Sequence, residues 1–335
     1  MLLRSFEVFF LLILIVAVFP NGVHAATVSR QLIVGLGNPW EAGLVFSPSV
    51  IHNSSKLMMW YTGEDVKGYD QIGLAMSNDG VNWSKYNGNP VLKLGPSGSW
   101  DSGSVIGCSV IFENGMFKMW YGGQTYQYRS GATSWQIGYA TSPDGMHWTK
   151  YSGNPVLTNG TIDSWDGARV SYPVVLHEKT GYMMYYTGYA WKNGNIVTSS
   201  VNEGLALSDD GINWTRHSEL TLPPSGWYTR MLRGFGSVIN LNGTYVATFS
   251  GATASPSSGS MIGLATSTDG ISWSEVAGNP VLSPSSSGWD SGSVIGSAFV
   301  PVNGNYFLYY HGWSSTTGSW QIGLAQLPIS QYHIQ

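Results

Sequence analysis

A twelve-residue segment returns along this chain, and a chain that repeats itself at such spacing has few folds open to it. The segment reads Ile72-GLAMSNDGVN-Trp83, Ile137-GYATSPDGMH-Trp148, Glu203-GLALSDDGIN-Trp214 and Ile262-GLATSTDGIS-Trp273, with a truncated fifth copy at Ile322-Gly323-Leu324-Ala325. Its glycines (Gly73, Gly138, Gly204, Gly263 and Gly323) stand 59–66 residues apart. A second marker, Trp40-Glu41, Trp100-Asp101, Trp165-Asp166, Trp227-Tyr228 and Trp289-Asp290, recurs at intervals of 60–65. A third is the aromatic stretch KLMMWYTG at 56–63, which returns as MFKMWYGG, GYMMYYTG, GTYVATFSG and NYFLYYHG. Three markers agree on five units.

Each unit reads as four short strands. In the second, an apolar run over 104–112 meets a hairpin at Glu113-Asn114-Gly115, then come an aromatic strand at 116–122, the Ile-Gly-Tyr-Ala strand, and an edge strand opening at the Trp. No unit contains a helical pattern. The 43 glycines, 15 Trp and 19 Tyr agree, describing many tight turns between aromatic-rich strands. Four-stranded antiparallel sheets repeated radially make a β-propeller, since one such sheet alone is marginal and stacking buries both its faces. The sequence therefore predicts an all-β, five-bladed propeller as a single domain over 26–335. The fifth unit lacks its Asp-Gly-x-x-Trp turn and edge strand, so the segment near 27–34 is expected to supply that strand and close the ring.

The N-terminus sets the compartment. Arg4 precedes an apolar run from Val8 to Phe19, followed by Pro20 and a small-residue exit at Val23-His24-Ala25. This is the pattern of a signal peptide over 1–25, too short to span a bilayer comfortably, with an uncleaved anchor as the other reading. The protein is expected to be secreted or at the cell surface, with no further membrane contact, and monomeric. Cys108 is the single cysteine, expected as a small buried hydrophobe. With a net charge of −4 and only 10% charged residues, against roughly 25% in an average protein, the chain is not a nucleic-acid binder. Sequons begin at Asn53, Asn82, Asn159, Asn213 and Asn242 and matter only in a host that glycosylates exported proteins.

In consecutive antiparallel blades, the link into the innermost strand and the loop between strands two and three share one face. Those loops, 62–71, 122–136, 187–204, 250–261 and 311–321, vary in length while the opposite turns are uniform, and variable loops on a repeated scaffold carry function. They hold Tyr126, Tyr128, Trp135, Tyr189, Trp191, Trp313 and Trp320, rings suited to stacking on sugars or to packing between blades.

The Ser-x-Asp-Gly-x-x-Trp turns at Ser77, Ser142, Ser208 and Ser267 resemble a shortened sialidase Asp-box. Together with Asn-Pro-Val-Leu (Asn89, Asn154, Asn279), Trp-Asp, Ser-Val-Ile and Met-Trp-Tyr-x-Gly, they resemble the five-bladed propeller glycosidases of the arabinanase, levansucrase and invertase superfamily. The resemblance implies an axial funnel whose acidic residues cleave glycosidic bonds in an oligosaccharide or polysaccharide. It also implies a base Asp before Pro in the first inner strand, where this chain has Ser47-Pro48, and an acid in a Glu-Gly-Pro segment, whose counterpart is Arg233-Gly234-Phe235. In the third unit Tyr172-Pro173 stands where a supporting Asp-Pro is expected.

Glycoside hydrolysis ordinarily needs two carboxyl groups. Setting aside the repeated Asp79, Asp144, Asp210 and Asp269, the neighbouring Asp209, and the acids of the leader, far-face hairpins and outer strands leaves Glu41, Glu64, Asp65, Asp70, Asp101, Asp163, Asp166, Glu203 and Asp290. A reaction uses a group once, whereas a scaffold uses it once per blade. Positions that break the repeat are therefore favoured: Glu41 replaces Asp, Asp166 is followed by Gly-Ala-Arg, and Glu203 replaces an apolar residue. The expectation is a funnel with Glu41, Asp166 and either Glu203 or Asp101 as catalytic carboxyls. Arg169, Arg230, Arg233, Tyr228, Asp290, Trp191 and Tyr126 are the expected substrate contacts. The arginines either hold an anionic sugar or pair with those acids. Three readings stay open: glycoside hydrolase, non-catalytic carbohydrate-binding propeller, and sialidase-like exo-glycosidase with Tyr228 as nucleophile, the last opposed by a five-blade count. No cofactor is expected. The seven histidines show no metal-ligand spacing, and a Ca²⁺ in the channel, as in some relatives of the resembled superfamily, has no supporting local motif.

Overall fold

Alternating β-branched and aromatic residues between Gly and Asn turns make each repeat an antiparallel meander. The computed structural model describes residues 30–53, 56–125, 135–193, 195–197, 201–223, 225–253, 259–302 and 305–327, the side chains of 230–233 excepted. The expected signal peptide at 1–25 and Tyr126 lie outside the described residues.

In chain order, β1 (Arg30–Val34) precedes a first meander of β2 (Leu44–Asn53), β3 (Lys56–Glu64), β4 (Asp70–Ser77) and β5 (Ser84–Lys85). The second comprises β6 (Ser104–Glu113), β7 (Met116–Gln124), β8 (Gln136–Ser142) and β9 (Thr149–Lys150). The third has β10 (Arg169–Glu178) and β11 (Gly181–Tyr189), a short inserted hairpin of β12 (Trp191–Lys192) and β13 (Asn195–Ile196), then β14 (Asn202–Ser208) and β15 (Thr215–Leu220). The fourth is β16 (Arg230–Leu241), β17 (Thr244–Ala252), β18 (Met261–Ser267) and β19 (Ser274–Glu275). The fifth has β20 (Ser293–Val302), β21 (Asn305–Trp313) and β22 (Trp320–Leu327), and its outer strand is β1, with Arg30 opposite Ala325.

Apolar clusters between neighbouring meanders close the ring. Trp60, Leu74, Val105 and Met119 join the first to the second; Trp120, Ile137, Val170 and Met184 join the second to the third. Tyr185, Leu205, Phe235 and Phe249 join the third to the fourth, and Val246, Leu264, Phe299 and Leu308 the fourth to the fifth. Phe307 and Leu324 of the fifth pack with Val45 and Met59 of the first, so the architecture is an all-β propeller of five blades.

The repeated turn is a connector as well as a turn. Asp79 Oδ1 accepts hydrogen bonds from the backbone N–H groups of Val81 and Asn82 at 2.8 Å, bonds that hold its carboxyl well below the usual range. Gly80, at φ 78°, presents its carbonyl to Tyr309 of the fifth meander at 2.9 Å. Trp60, Trp120 and Tyr185 make the same bond to Gly145, Gly211 and Gly270 at 2.7–2.9 Å. The fifth meander lacks the turn, and the donor's register position in the fourth is held by Thr248. Inner strands β2, β6, β10, β16 and β20 line the axial channel, each with a register shift near its start.

Candidate active site

At one end of the axis the channel opens into a funnel of about 270 Å³. Two acids stand on its wall. Glu64 ends β3, Asp70 begins β4, and the two are directly opposite in register. The intervening turn is locked by Asp65, whose Oδ1 accepts from the N–H groups of Lys67 and Tyr69 at 2.8 and 3.1 Å. Both acids are buried. Ser104, from the next blade, donates its hydroxyl to Asp70 Oδ2 at 2.8 Å and receives Gln124 Nε2 at 3.4 Å.

The remaining wall is aromatic and cationic. Trp135, Trp320, Tyr189, Tyr172 and Phe46 surround the opening, and the Arg169 guanidinium lies 6.0 Å from the centre of the Tyr189 ring. His311 is also on the wall, its Nδ1 lying 3.0 Å from Ser297 Oγ and its ring 5.0 Å from that of Trp320.

Register shows why this end is specific to one blade. The positions equivalent to Glu64 at the ends of the second strands are Gln124, Tyr189, Ala252 and Trp313, facing Ser104, Arg169, Arg230 and Ser293. Only the first meander places a carboxylate there.

The sequence-predicted acids sit elsewhere. Glu41, Asp101, Asp166 and Asp290 are buried, and each accepts a hydrogen bond from a tyrosine of its own blade: Tyr61 (2.8 Å), Tyr121 (3.1 Å), Tyr186 (3.0 Å) and Tyr310 (2.8 Å). Each also meets a cation of the outer strand: Lys85 (2.6 Å), Lys150 (2.5 Å), Arg216 (2.7 Å) and Arg30 (3.3 Å). Burial first, and the neighbouring carboxylate second, push the four phenols up, so they remain donors. None of these acids lines the funnel. Glu41, Asp101, Asp166 and Asp290, expected as catalytic or substrate-contacting groups, are thus each held between a tyrosine and a cation. Glu41 looked like a break in the repeat, but its side chain reaches the same tyrosine and lysine partners.

The fourth blade changes all three members together. Tyr228 replaces the acid, Phe249 the tyrosine and Glu275 the cation, which accepts from Trp227 Nε1 at 2.8 Å. Tyr228 is buried against Trp227 and Phe249, with its hydroxyl donating to the Pro223 carbonyl at 2.8 Å. Tyr228, expected as a substrate contact, is packed between these rings and is not among the residues lining the funnel.

Glu203, expected as a catalytic carboxyl, also lies off the lining. It occupies the position of Ile72, Ile137, Ile262 and Ile322, opposite Thr187, and its carboxyl lies against Gly234, where a Cβ would have no room. Burial pushes its pKa well above the ordinary value, and it is not on the funnel wall. Trp191 sits on the inserted hairpin, donating from Nε1 to the Gly167 carbonyl at 3.2 Å, away from the wall. Arg230 and Arg233 lie on β16 opposite Ala252 and Ser250, and their side chains are outside the described residues. Arg169 is, among the described residues, on the wall, together with Trp135, Tyr189 and Trp320 of the loop aromatics. Among the described residues no three His, Cys, Asp or Glu side chains are grouped so as to hold a metal ion. Sequence reasoning retains Glu64 and Asp70 among nine candidate acids without favouring them and gives His311 no role, although each occurs in a single blade and so meets the criterion of non-repetition.

Residues 37–101, which include both funnel acids, match the glycosyl hydrolases family 32 N-terminal domain. Over 148 residues the chain is 31% identical to the uncharacterized protein MT1551 of Mycobacterium tuberculosis (strain CDC 1551 / Oshkosh), covering 42% of this chain and 45% of that one. The chain thus spans about half the length of the curated relative it matches. It is 28% identical over 89 residues to the A type blood N-acetyl-alpha-D-galactosamine deacetylase of Flavonifractor plautii, over 25% of this chain and 11% of that protein. Among solved structures, the BT0996 complex with RGII superposes with a TM-score of 0.71 at 18% identity, covering 89% of this protein and 90% of that one. The F. plautii N-acetylgalactosamine deacetylase with blood group B trisaccharide gives 0.67 at 16% identity, covering 90% and 95%. These structural likenesses establish the fold, and a fold hosts many chemistries. The chain carries the β-propeller fold, and its residues 37–101 are similar to the N-terminal domain of glycosyl hydrolases family 32.

Proposed function

We propose that this protein is exported and hydrolyses a glycosidic bond of a glycan held in the axial funnel, with Glu64 and Asp70 as its carboxyl pair. The observation that carries the reading is the pairing of those two acids, opposite one another on adjacent strands, in the wall of an aromatic-lined cavity. Glycoside hydrolysis uses one protonated carboxyl to assist the leaving oxygen and one ionised carboxyl as nucleophile or base. Side chains directly opposite on paired strands have Cβ atoms about 4.5–5.5 Å apart, near enough for two carboxyls to act on one glycosidic bond. The Ser104 hydroxyl, donating to Asp70, suits that carboxyl to the ionised role and leaves proton donation to Glu64. Trp135, Trp320 and Tyr189 offer stacking faces for sugar rings, and Arg169 suits a hydroxyl or a uronic carboxylate. The glycans named with the neighbouring structures, RGII and blood group B trisaccharide, support a glycan partner, and the leader pattern at 1–25 supports export.

A second reading, binding without cleavage, is favoured by Ser47, which stands in the first inner strand where the resembled glycosidases place a base. Product analysis and titration calorimetry of residues 26–335 on neutral and uronic oligosaccharides separate the two. Reducing ends that appear with the wild type and vanish in Glu64→Gln and Asp70→Asn support hydrolysis. Saturable binding without new reducing ends supports the binding propeller.

A further inference from the structure

Below the funnel the inner strands leave regular register at five equivalent positions: Ser47, Gly107, Tyr172, Phe235 and Gly296. Three are small; of the two aromatics, Phe235 packs against Tyr185 and Trp273, whereas Tyr172 stands on the funnel wall. Ser47, Gly107 and Tyr172 have φ values of 51°, 52° and 51°. Glycine enters that left-handed region freely, whereas a bulky L-residue held there costs about 1–3 kcal/mol, strain that concentrates at ligand clamps and active sites. Tyr172 is thus an aromatic residue in a conformation that a glycine adopts at the equivalent place in the preceding blade.

The ring of Tyr172 occupies the axis side of its neighbour. A Cβ added to Gly107 would come within 2.5 Å of Tyr172 Cδ1, so the aromatic ring covers that backbone. Tyr172 belongs both to the funnel wall and to the lining of the neck beneath it. The neck holds about 30 Å³, close to the ~30 Å³ share of one water in the liquid. On the far side the channel widens again to about 470 Å³. The constriction therefore lies at the level of these register shifts, between two wide mouths.

We propose that Tyr172 is the floor of the site and a specificity-determining residue: it closes the funnel at the axis, so that the protein takes the end of a glycan chain and not its interior. The inference rests on the glycan reading above and adds the class of substrate, chain termini. A funnel closed below and walled by residues of four blades among those described admits a chain end-on. An internal segment would need a groove open on both sides or a passage through the neck. The cavity of about 270 Å³ lies just under the ~300–1,000 Å³ of sites for drug-sized ligands.

The test is a length series, from disaccharide to hexasaccharide, of linear arabino-, manno-, galacto- and galacturono-oligosaccharides, followed by size-resolved product analysis and titration calorimetry. With the wild type, the responsive series should shorten stepwise with one small product from the first time point, and its affinity should stop rising after the shortest members. Tyr172→Gly should weaken binding of the shortest members about threefold to tenfold, the loss of one aromatic platform, and lose the single-product pattern. Random internal cleavage by the wild type, or affinity that climbs through the hexasaccharide, overturns end-on recognition while leaving the glycan reading intact. An unchanged pattern in folded Tyr172→Gly overturns the role of this side chain; should that variant not fold, the wild-type series decides. Neither binding nor cleavage of any series overturns the glycan reading and this inference with it.

Discussion

Glu41, Asp101, Asp166 and Asp290 recur in four blades, each held between a tyrosine and a cation, whereas Glu64 and Asp70 occur in the first blade alone and face the axial cavity. Both sets are buried, so burial does not distinguish them. Repetition does: a group present once per blade maintains what every blade shares, and a group present once is available for chemistry that happens once. The fourth blade makes the point from the other side. Its Tyr228, Phe249 and Glu275 replace acid, phenol and cation together, as expected of a packing unit whose members answer only to one another.

The largest expected difference between the two sets is in activity. Glu64→Gln should lower turnover by 10²-fold or more, the usual order for a general acid or base, with little change in unfolding midpoint; a rate within a few fold of wild type would remove Glu64 from the chemistry. Asp101→Asn should act in the opposite sense. Losing the partner of Lys150 while weakening the bond from Tyr121 should cost about 2–4 kcal/mol in denaturant unfolding, with activity per folded molecule retained.

A smaller effect sharpens the scaffold half of the comparison. Tyr310→Phe copies the natural Phe249, deletes one hydrogen bond to Asp290, and should cost about 1 kcal/mol, measured by the same unfolding curves. The smallest effect concerns Glu203, which belongs to neither set. Its folded-state pKa lies above the ordinary 4.5, so the folded protein holds a proton that the unfolded chain releases. Stability should fall as pH rises from 4.5 toward the folded value, and Glu203→Gln should flatten that slope. Parallel slopes in the two proteins would show the carboxyl to be ionised in the fold.

The blades were legible because three markers repeat in phase, and register preserves such a repeat through every strand. The outer strand of the fifth blade is supplied by β1, within the segment near 27–34 to which the incomplete fifth repeat points. The site was less legible. In sequence the stretch 62–71 reads as a loop, whereas β3 runs to Glu64 and β4 begins at Asp70, with only a tight turn between. Without that register, two acids six residues apart do not read as a facing pair. Glu41 and Asp166 drew the eye through changes of side-chain length and flanking residues, which the three-dimensional partners absorb. Tyr172 carried no signal beyond replacing an expected Asp, because its backbone angle and its place over Gly107 exist only in the fold.

The most direct test of the division between scaffold and site compares Asp70→Asn with Asp166→Asn in one experiment, measuring glycan cleavage per folded molecule beside the unfolding free energy. The account predicts that Asp70→Asn folds like the wild type and releases no product, while Asp166→Asn is destabilised and retains its rate per folded molecule. Full activity in Asp70→Asn, with a stable but inactive Asp166→Asn, would contradict it and return the chemistry to the repeated acids.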